Sequence, residues 1–388
     1  MKVRFEPWGA WVKLESTAAM VALDRSGVLA LGLDGGAQWE PDAGPTAPIE
    51  VHLAVTQKCA AGCEGCYLDA TPDGLEPARD VLLARLDALR DAGVLTVAFG
   101  GGEPTTRDDL GTLAEEARKR GLTPVLTTSG LGLSPAKVER LRGFAQVNVR
   151  YDGTREDYRE VRGFDGAKGA EAAIGLLSRA GIRVGINVVL TQATFDGLPA
   201  TLRRARSLGA AEAQLLRYKP AGRAATMDYL SRRLDPAQVT RLGETLRALT
   251  QEHAPTGFSI RIDCAMVPLL SADPVLYRSA DAMAKAGIFG CEGGQALASV
   301  KVDGRVAPCS FVESTPLTAE TFREGHERDP ELTRWRAFPV APPEPCGSCA
   351  LAAVCKGGCK AVSRFVDGVH GPDPECPRVR AYRAARIA

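Results

Sequence analysis

The sequence predicts an α/β protein. Its centre, residues 49–262, is expected to form a partial (β/α)6 barrel; a small β-rich unit with a linker (1–48) precedes it and a cysteine-rich segment (263–388) follows. Three observations carry this. Short apolar runs alternate with helical periodicity from residue 51 to about 262, as in repeated β–α units that build a parallel sheet with covered faces and can curl into an open barrel. The first thirty or so residues hold strand-length apolar runs between turn residues. After Cys291 the chain becomes loop and short helix with many Pro and Cys, too sparse in apolar pattern to fold alone and expected to rely on metal centres.

The elements follow in order. Residues 3–5 and 11–14 read as strands parted by Pro7 and Gly9, and 20–23 and 28–31 as two more around a hairpin turn, Asp24-Arg25-Ser26-Gly27. Residues 34–48, rich in Gly, Pro and Asp, are the linker. Barrel strands are expected at 51–55, 94–99, 124–127, 145–149, 182–189 and 213–216. The intervening segments are helical: Leu82, Leu86 and Leu89 make one apolar stripe between Pro77 and Gly93. Residues 298–302 and 305–307 form a hairpin on the tight Asp303-Gly304 turn. In such a barrel the reactive groups sit on loops at the carboxyl ends of strands.

The 388 residues include 48 Lys plus Arg against 47 Asp plus Glu, with 45% hydrophobic and 24% charged. This balance suits a globular core and gives no broad basic footprint for nucleic acid or a membrane surface. No apolar run reaches the roughly 18 residues of a spanning helix. The start lacks a signal-peptide stretch, so the expected compartment is the cytoplasm.

Eleven cysteines in a chain without an export signal, an odd number, point to metal or iron–sulfur ligation before disulfides. The first strand runs into Cys59-Ala60-Ala61-Gly62-Cys63-Glu64-Gly65-Cys66-Tyr67. Three thiolates at C-x3-C-x2-C can hold three corners of a cubane cluster and leave the fourth iron open. A structural zinc site would want a fourth protein ligand, and His52, inside the strand, reads as a packed histidine.

This spacing resembles the radical S-adenosylmethionine enzymes. The resemblance implies that Cys59, Cys63 and Cys66 hold a 4Fe–4S cluster whose open iron chelates the cofactor's methionine. One electron would then split a carbon–sulfur bond and give a 5′-deoxyadenosyl radical that abstracts a substrate hydrogen. The family's residue before the third cysteine is usually aromatic; here it is Gly65, with Tyr67 beyond it on the adenine side. Gly100-Gly101-Gly102-Glu103-Pro104 is similar to the family's GGEP run, where Gly101, Gly102, Glu103 and Pro104 would meet the methionine ammonium. Thr127-Thr128-Ser129-Gly130, Val149-Arg150-Tyr151-Asp152-Gly153 and the run from Asp157 to Gly163 match looser family motifs. By position, Ser129 and Asp152 are candidates for the ribose and substrate side, and Arg162 for a carboxylate partner. Each could instead cap a helix or bridge loops.

The later cysteines read C-x12-G-x4-C (Cys291, Cys309), then Cys346, Cys349, Cys355 and Cys359, then Cys376. A zinc ribbon would use the middle four and leave the others unexplained. The whole set resembles the seven-cysteine SPASM extension of peptide- and protein-modifying radical enzymes. That implies two auxiliary 4Fe–4S clusters, a distal one on Cys346, Cys349, Cys355 and Cys376 and a proximal one on Cys291, Cys309 and Cys359. Cys264 is the proximal fourth ligand, a hydrogen donor to a radical, or a buried thiol.

The function expected from this resemblance is maturation of a ribosomally made peptide by crosslinking, epimerisation or oxidation. A formylglycine-generating sulfatase maturase and a non-catalytic iron–sulfur electron carrier or scaffold are the alternatives. Expected partners are the precursor peptide, a low-potential donor (flavodoxin or ferredoxin) and a separate leader-recognition protein, with no nucleic acid and no membrane. The segment from Arg217 to Arg223 would face the cavity mouth or lie as a solvated basic loop. Phe5, Trp8 and Trp11 are docking groups or the core of the small sheet.

Overall fold

In the computed structural model, residues 2–14, 20–33, 39–40 and 44–386 are described. The N-terminal strands β1 (Lys2–Glu6), β2 (Gly9–Lys13) and β3 (Met20–Asp24) form an antiparallel sheet in that order. The expected fourth strand is instead helix α1 (Arg25–Ala30). Asp24 accepts from Gly27 N at 2.8 Å, so the Asp-Arg-Ser-Gly run starts a helix rather than closing a hairpin. Trp8 and Trp11 pack edge to face at 5.6 Å, while Phe5 is exposed. Arg4 ties this unit to the barrel by donating to Pro48 O (3.1 Å) and Gly93 O (2.8 Å). Part of the expected linker, 34–38 and 41–43, lies outside the described residues.

The six expected barrel strands form as β4 (Glu50–Thr56), β5 (Thr96–Gly101), β6 (Thr123–Thr128), β7 (Gln146–Arg150), β8 (Val184–Leu190) and β9 (Glu212–Arg217). Each pairs in parallel with the next. A seventh parallel strand, β10 (Ser259–Ile262), extends one edge. On the other edge the predicted hairpin, β11 (Leu297–Val300) and β12 (Val306–Ala307), adds to β4 through β11. The sheet therefore has nine strands, with the cysteine-rich segment contributing two. Arg261 on β10 comes within electrostatic reach of Glu50 on β4, so the two ends of the parallel array approach each other.

Alternation sorts the two faces. Val51, Leu53, Val55, Phe99, Leu126, Val147, Ile186 and Leu215 point outward into the main core. Helices cover them: α2 (Arg79–Asp91), α3 (Leu110–Lys119), α4 (Pro135–Glu139), α5 (Arg155–Arg162), α6 (Ala167–Arg179) and α7 (Leu198–Ser207). The predicted Leu82–Leu86–Leu89 stripe of α2 is fully buried. Arg85 on the same helix donates to Val302 O at 3.0 Å and lies beneath Gly304, whose φ of +90° makes the predicted tight turn.

Candidate active site

β4 ends at Thr56, and the cysteine loop begins three residues on, at Cys59. Its base is fixed by Gln57 N donating to Leu75 O (2.7 Å) and Cys59 N to Thr71 O (2.8 Å). Cys59, Cys63 and Cys66 then ring a cavity of about 420 Å³ at the carboxyl ends of the strands. Gly101, Gly102, Glu103, Ser129, Arg150, Tyr158, Arg162 and Arg223 complete its lining. Burial pushes the Cys59 thiol up, against the Ala61 N–H that donates to its sulfur at 3.5 Å.

Glycine is required at 101 and 102, where a Cβ would collide with the carbonyls of Thr56 and Lys58. Glu103, expected as an open acceptor for a cation, is instead saturated. Its Oε1 accepts from Thr105 N (3.2 Å), Thr105 Oγ1 (2.7 Å) and Thr128 Oγ1 (2.6 Å). Its Oε2 accepts from Ser129 N (2.8 Å) and Ser129 Oγ (2.6 Å). Five donors compensate this buried carboxylate, which locks the β5 and β6 loops together. Ser129 commits its hydroxyl to that lock while still lining the cavity. Pro104 opens a short 3₁₀ turn and stands outside the lining.

Asp152 also stands outside it, fully buried, with both oxygens engaged. Oδ2 takes Arg162 Nε at 2.6 Å and Oδ1 takes Val189 N at 2.8 Å. Its geometry is that of a group orienting Arg162. Burial opposes the Arg162 charge, and Asp152 and the Cys63 thiol more than restore it. Arg162 reaches the cavity because α5 starts in a Thr154–Asp157 capping box and stops at Gly163, φ +83°.

Tyr67 is not part of the lining and packs at a tilt against Phe311, with ring centroids 4.7 Å apart. Arg150 lies over Tyr67 and Lys219 Nζ over Phe311 at 4.3 Å. The space beside Gly65, where an aromatic is usual, holds Tyr218 and Met227; a Cβ on Gly65 would already touch Met227 Sδ at 3.4 Å.

Arg217 and Lys219 are buried and ion-paired rather than part of a solvated loop. Arg217 is buried and held by Asp373 (2.6 and 3.1 Å) and Glu375 (2.8 Å) from the C-terminal segment. Lys219 is buried against Asp263. Arg223 donates to Cys63 O at 3.0 Å, bracing the cysteine loop from below. Arg150 and Tyr158 had no role assigned from sequence, and only Arg150, at a strand end beside Asp152, carried a positional signal; Arg223, in the segment expected at the cavity mouth, lines the cavity. His52 is half-exposed between Ser310 and Glu50, at 2.8 and 2.9 Å.

The C-terminal cysteines gather in two places. Cys346, Cys349, Cys355 and Cys376 line a second cavity of about 370 Å³. Cys264, Cys291, Cys309 and Cys359 lie within electrostatic reach of one another near Lys219. Burial is the main cause that raises every one of these thiols for which a shift is resolved: Cys309 and Cys346 to about 11, Cys359 to about 12, Cys264 and Cys355 well above the ordinary range. Among the described residues, no three His, Cys, Asp or Glu side chains converge closely enough to hold a single metal ion.

A curled parallel sheet with a three-cysteine loop after its first barrel strand defines a class, and residues 53–205 match the family model of the Radical SAM superfamily. The chain carries a radical SAM domain. Among individual proteins, it is similar to the AdoMet-dependent heme synthase of Nitratidesulfovibrio vulgaris, 26% identical over 371 residues, 89% of this chain and 95% of that one. It is also similar to the PqqA peptide cyclase of Gluconobacter oxydans, 29% identical over 347 residues, 86% of this chain and 91% of that one. In fold it resembles Streptococcus suis SuiB bound to its precursor peptide SuiA, with a TM-score of 0.72, 17% identity and 96% of each chain covered. It also resembles anSMEcpe bound to AdoMet and the Cp18Cys peptide, with a TM-score of 0.63, 18% identity and 87% and 98% of the two chains covered. No helix among the described residues is long and apolar enough to cross a membrane.

Proposed function

We propose that this chain is a radical S-adenosylmethionine maturase that modifies a residue of a ribosomally made peptide. The observation that carries this reading is the cavity ringed by Cys59, Cys63 and Cys66 and backed by Gly101 and Gly102. An opening edged by three thiols at C-x3-C-x2-C spacing suits a cluster held at three corners, with its fourth corner free for a ligand. Bound there, the cluster and S-adenosylmethionine supply radical abstraction of a hydrogen atom from an unactivated C–H bond. The chain's own residues do the rest. Glu103 holds the two glycine-bearing loops in register, Asp152 aims Arg162 at a carboxylate, and Arg223 steadies the cysteine loop.

The four thiols around the second cavity are the proposed ligands of a distal auxiliary cluster, and Cys291, Cys309, Cys359 and Cys264 those of a proximal one. Cys264 fits the ligand role better than that of a lone hydrogen donor, since Cys291 and Cys359 lie within electrostatic reach of it. Raised thiol pKa values mean that cluster assembly releases protons and is favoured by rising pH. A flavodoxin or ferredoxin is the proposed electron source, and a separate recognition protein the proposed partner for the leader of the peptide.

The test is co-expression with candidate precursor peptides, followed by mass spectrometry of the peptide. A loss of two hydrogens, or deuterium uptake at one α-carbon, absent with a Cys59/Cys63/Cys66→Ala variant, is the expected result. The synthase relatives supply a second reading, a substrate of the heme class. Turnover of such a compound with no change to any peptide would replace the first.

A further inference from the structure

Barrels of β–α units ordinarily fill their interior with layers of Val, Ile and Leu. The inward face of this sheet is polar. Register places Arg150 of β7 opposite Asn187 of β8, Asn187 opposite Gln214 of β9, and Gln214 opposite Arg261 of β10. These four side chains thus form one row across four neighbouring strands, on the face away from the apolar core. At Gly185, two residues before Asn187 on the same face, the floor below the row is filled by the Asn148 and Gln146 carboxamides, which a Cβ there would strike.

Asn187 is 8% exposed, and its Oδ1 is buried with no hydrogen-bond partner among the described residues. A buried carboxamide oxygen left unpaired is destabilising, so its retention calls for a partner that comes from outside the fold. Arg150, the next member of the row, lines the cysteine cavity, so whatever Asn187 holds lies beside the reacting centre.

We propose that the Asn187–Gln214 pair seats the backbone of an extended segment of the peptide substrate and so sets which residue reaches the cavity. A carboxamide presents one acceptor and two donors, the complement of a peptide group's N–H and C=O. Asp263, at the end of β10, supports this seat: Lys219 neutralises it, yet its Oδ1 is buried and unpartnered, an acceptor suited to a neutral N–H rather than to a second cation. The inference rests on the peptide-maturase reading and adds the residues that read the chain.

The test uses the reconstituted full chain and, as probe, a pool of random-sequence dodecapeptides displayed on mRNA. Wild type is expected to enrich peptides above a bead-only control. The Asn187→Leu/Gln214→Leu variant is expected to recover at least ten-fold less, with iron content and S-adenosylmethionine retained on equilibrium dialysis as in wild type. Gln214→Leu alone, at a half-buried site whose side chain makes no hydrogen bond among the described residues, guards against misfolding and is expected to show a loss in the same direction. Equal recovery by wild type and both variants would overturn the seat and leave the maturase reading standing. Loss of S-adenosylmethionine without loss of peptide would assign the row to the cofactor and overturn the seat as well. No enrichment by wild type would count against both readings together.

Discussion

Asp373 is the residue on which the barrel and the C-terminal segment most depend, and replacing it with Ala puts that to the test. Its side chain is fully buried. One oxygen takes Arg217 Nη1 at 2.6 Å and the Cys359 N–H at 3.0 Å; the other takes Arg217 Nη2 at 3.1 Å and the Glu375 N–H at 3.0 Å. Removing one partner of a buried ion pair costs about 3–5 kcal/mol, because the remaining charge is stranded. Glu375 still holds Arg217 at 2.8 Å, which places the expected loss near the lower end, about 3 kcal/mol. Urea unfolding followed by circular dichroism reads this as a lowered midpoint at constant slope. The same variant frees the Cys359 backbone N–H, so iron is expected to be lost from the C-terminal thiols before the first cysteine loop. A midpoint shifted by less than about 1 kcal/mol, with iron unchanged, would refute the reasoning.

Glu103→Gln sets an amide among five donors, and the mismatch is expected to cost about 1–3 kcal/mol and to weaken S-adenosylmethionine retention; an unchanged melting curve would argue against the lock. His326 is 6% exposed, and burial pulls its pKa down to about 4. The unfolded chain therefore binds the extra proton between about pH 6.5 and pH 4, so stability falls as pH drops through that window, by up to about 3 kcal/mol. Denaturation midpoints against pH, compared with His326→Gln, should show the wild-type slope flattened in the variant; parallel curves would rule His326 out as its source. Gly304→Ala forces a side chain into φ +90° and 2.7 Å from Arg85 Nη2, with an expected loss of about 1–3 kcal/mol in thermal melts.

What could be read from the chain was what lies close together in it. The cysteine loop, Gly101-Gly102, the α2 stripe and the Asp303-Gly304 turn are short-range patterns, and the structure carries each. Asp24-Arg25-Ser26-Gly27 suits a turn and a helix cap equally, and a hydrogen bond to Gly27 N decides for the cap. β10 is four residues long, too brief to stand out against a loop. The attachment of β11 to β4 and the Arg217–Asp373 pair join residues more than 150 positions apart, and no local spacing encodes them. For the same reason Glu103 looked like a free acceptor: its donors Thr128 and Ser129 arrive from the next strand. Tyr67 packs on Phe311, a partner 244 positions away that no local spacing announces.

The most direct test of the central claim is iron and sulfide per chain on anaerobically reconstituted protein, measured together with 5′-deoxyadenosine formed from S-adenosylmethionine and dithionite. The account predicts about twelve irons, four for each of three clusters, and 5′-deoxyadenosine that disappears when Cys59, Cys63 and Cys66 are replaced by Ala. Zinc in place of iron, or cofactor cleavage that survives loss of those three thiols, would contradict it.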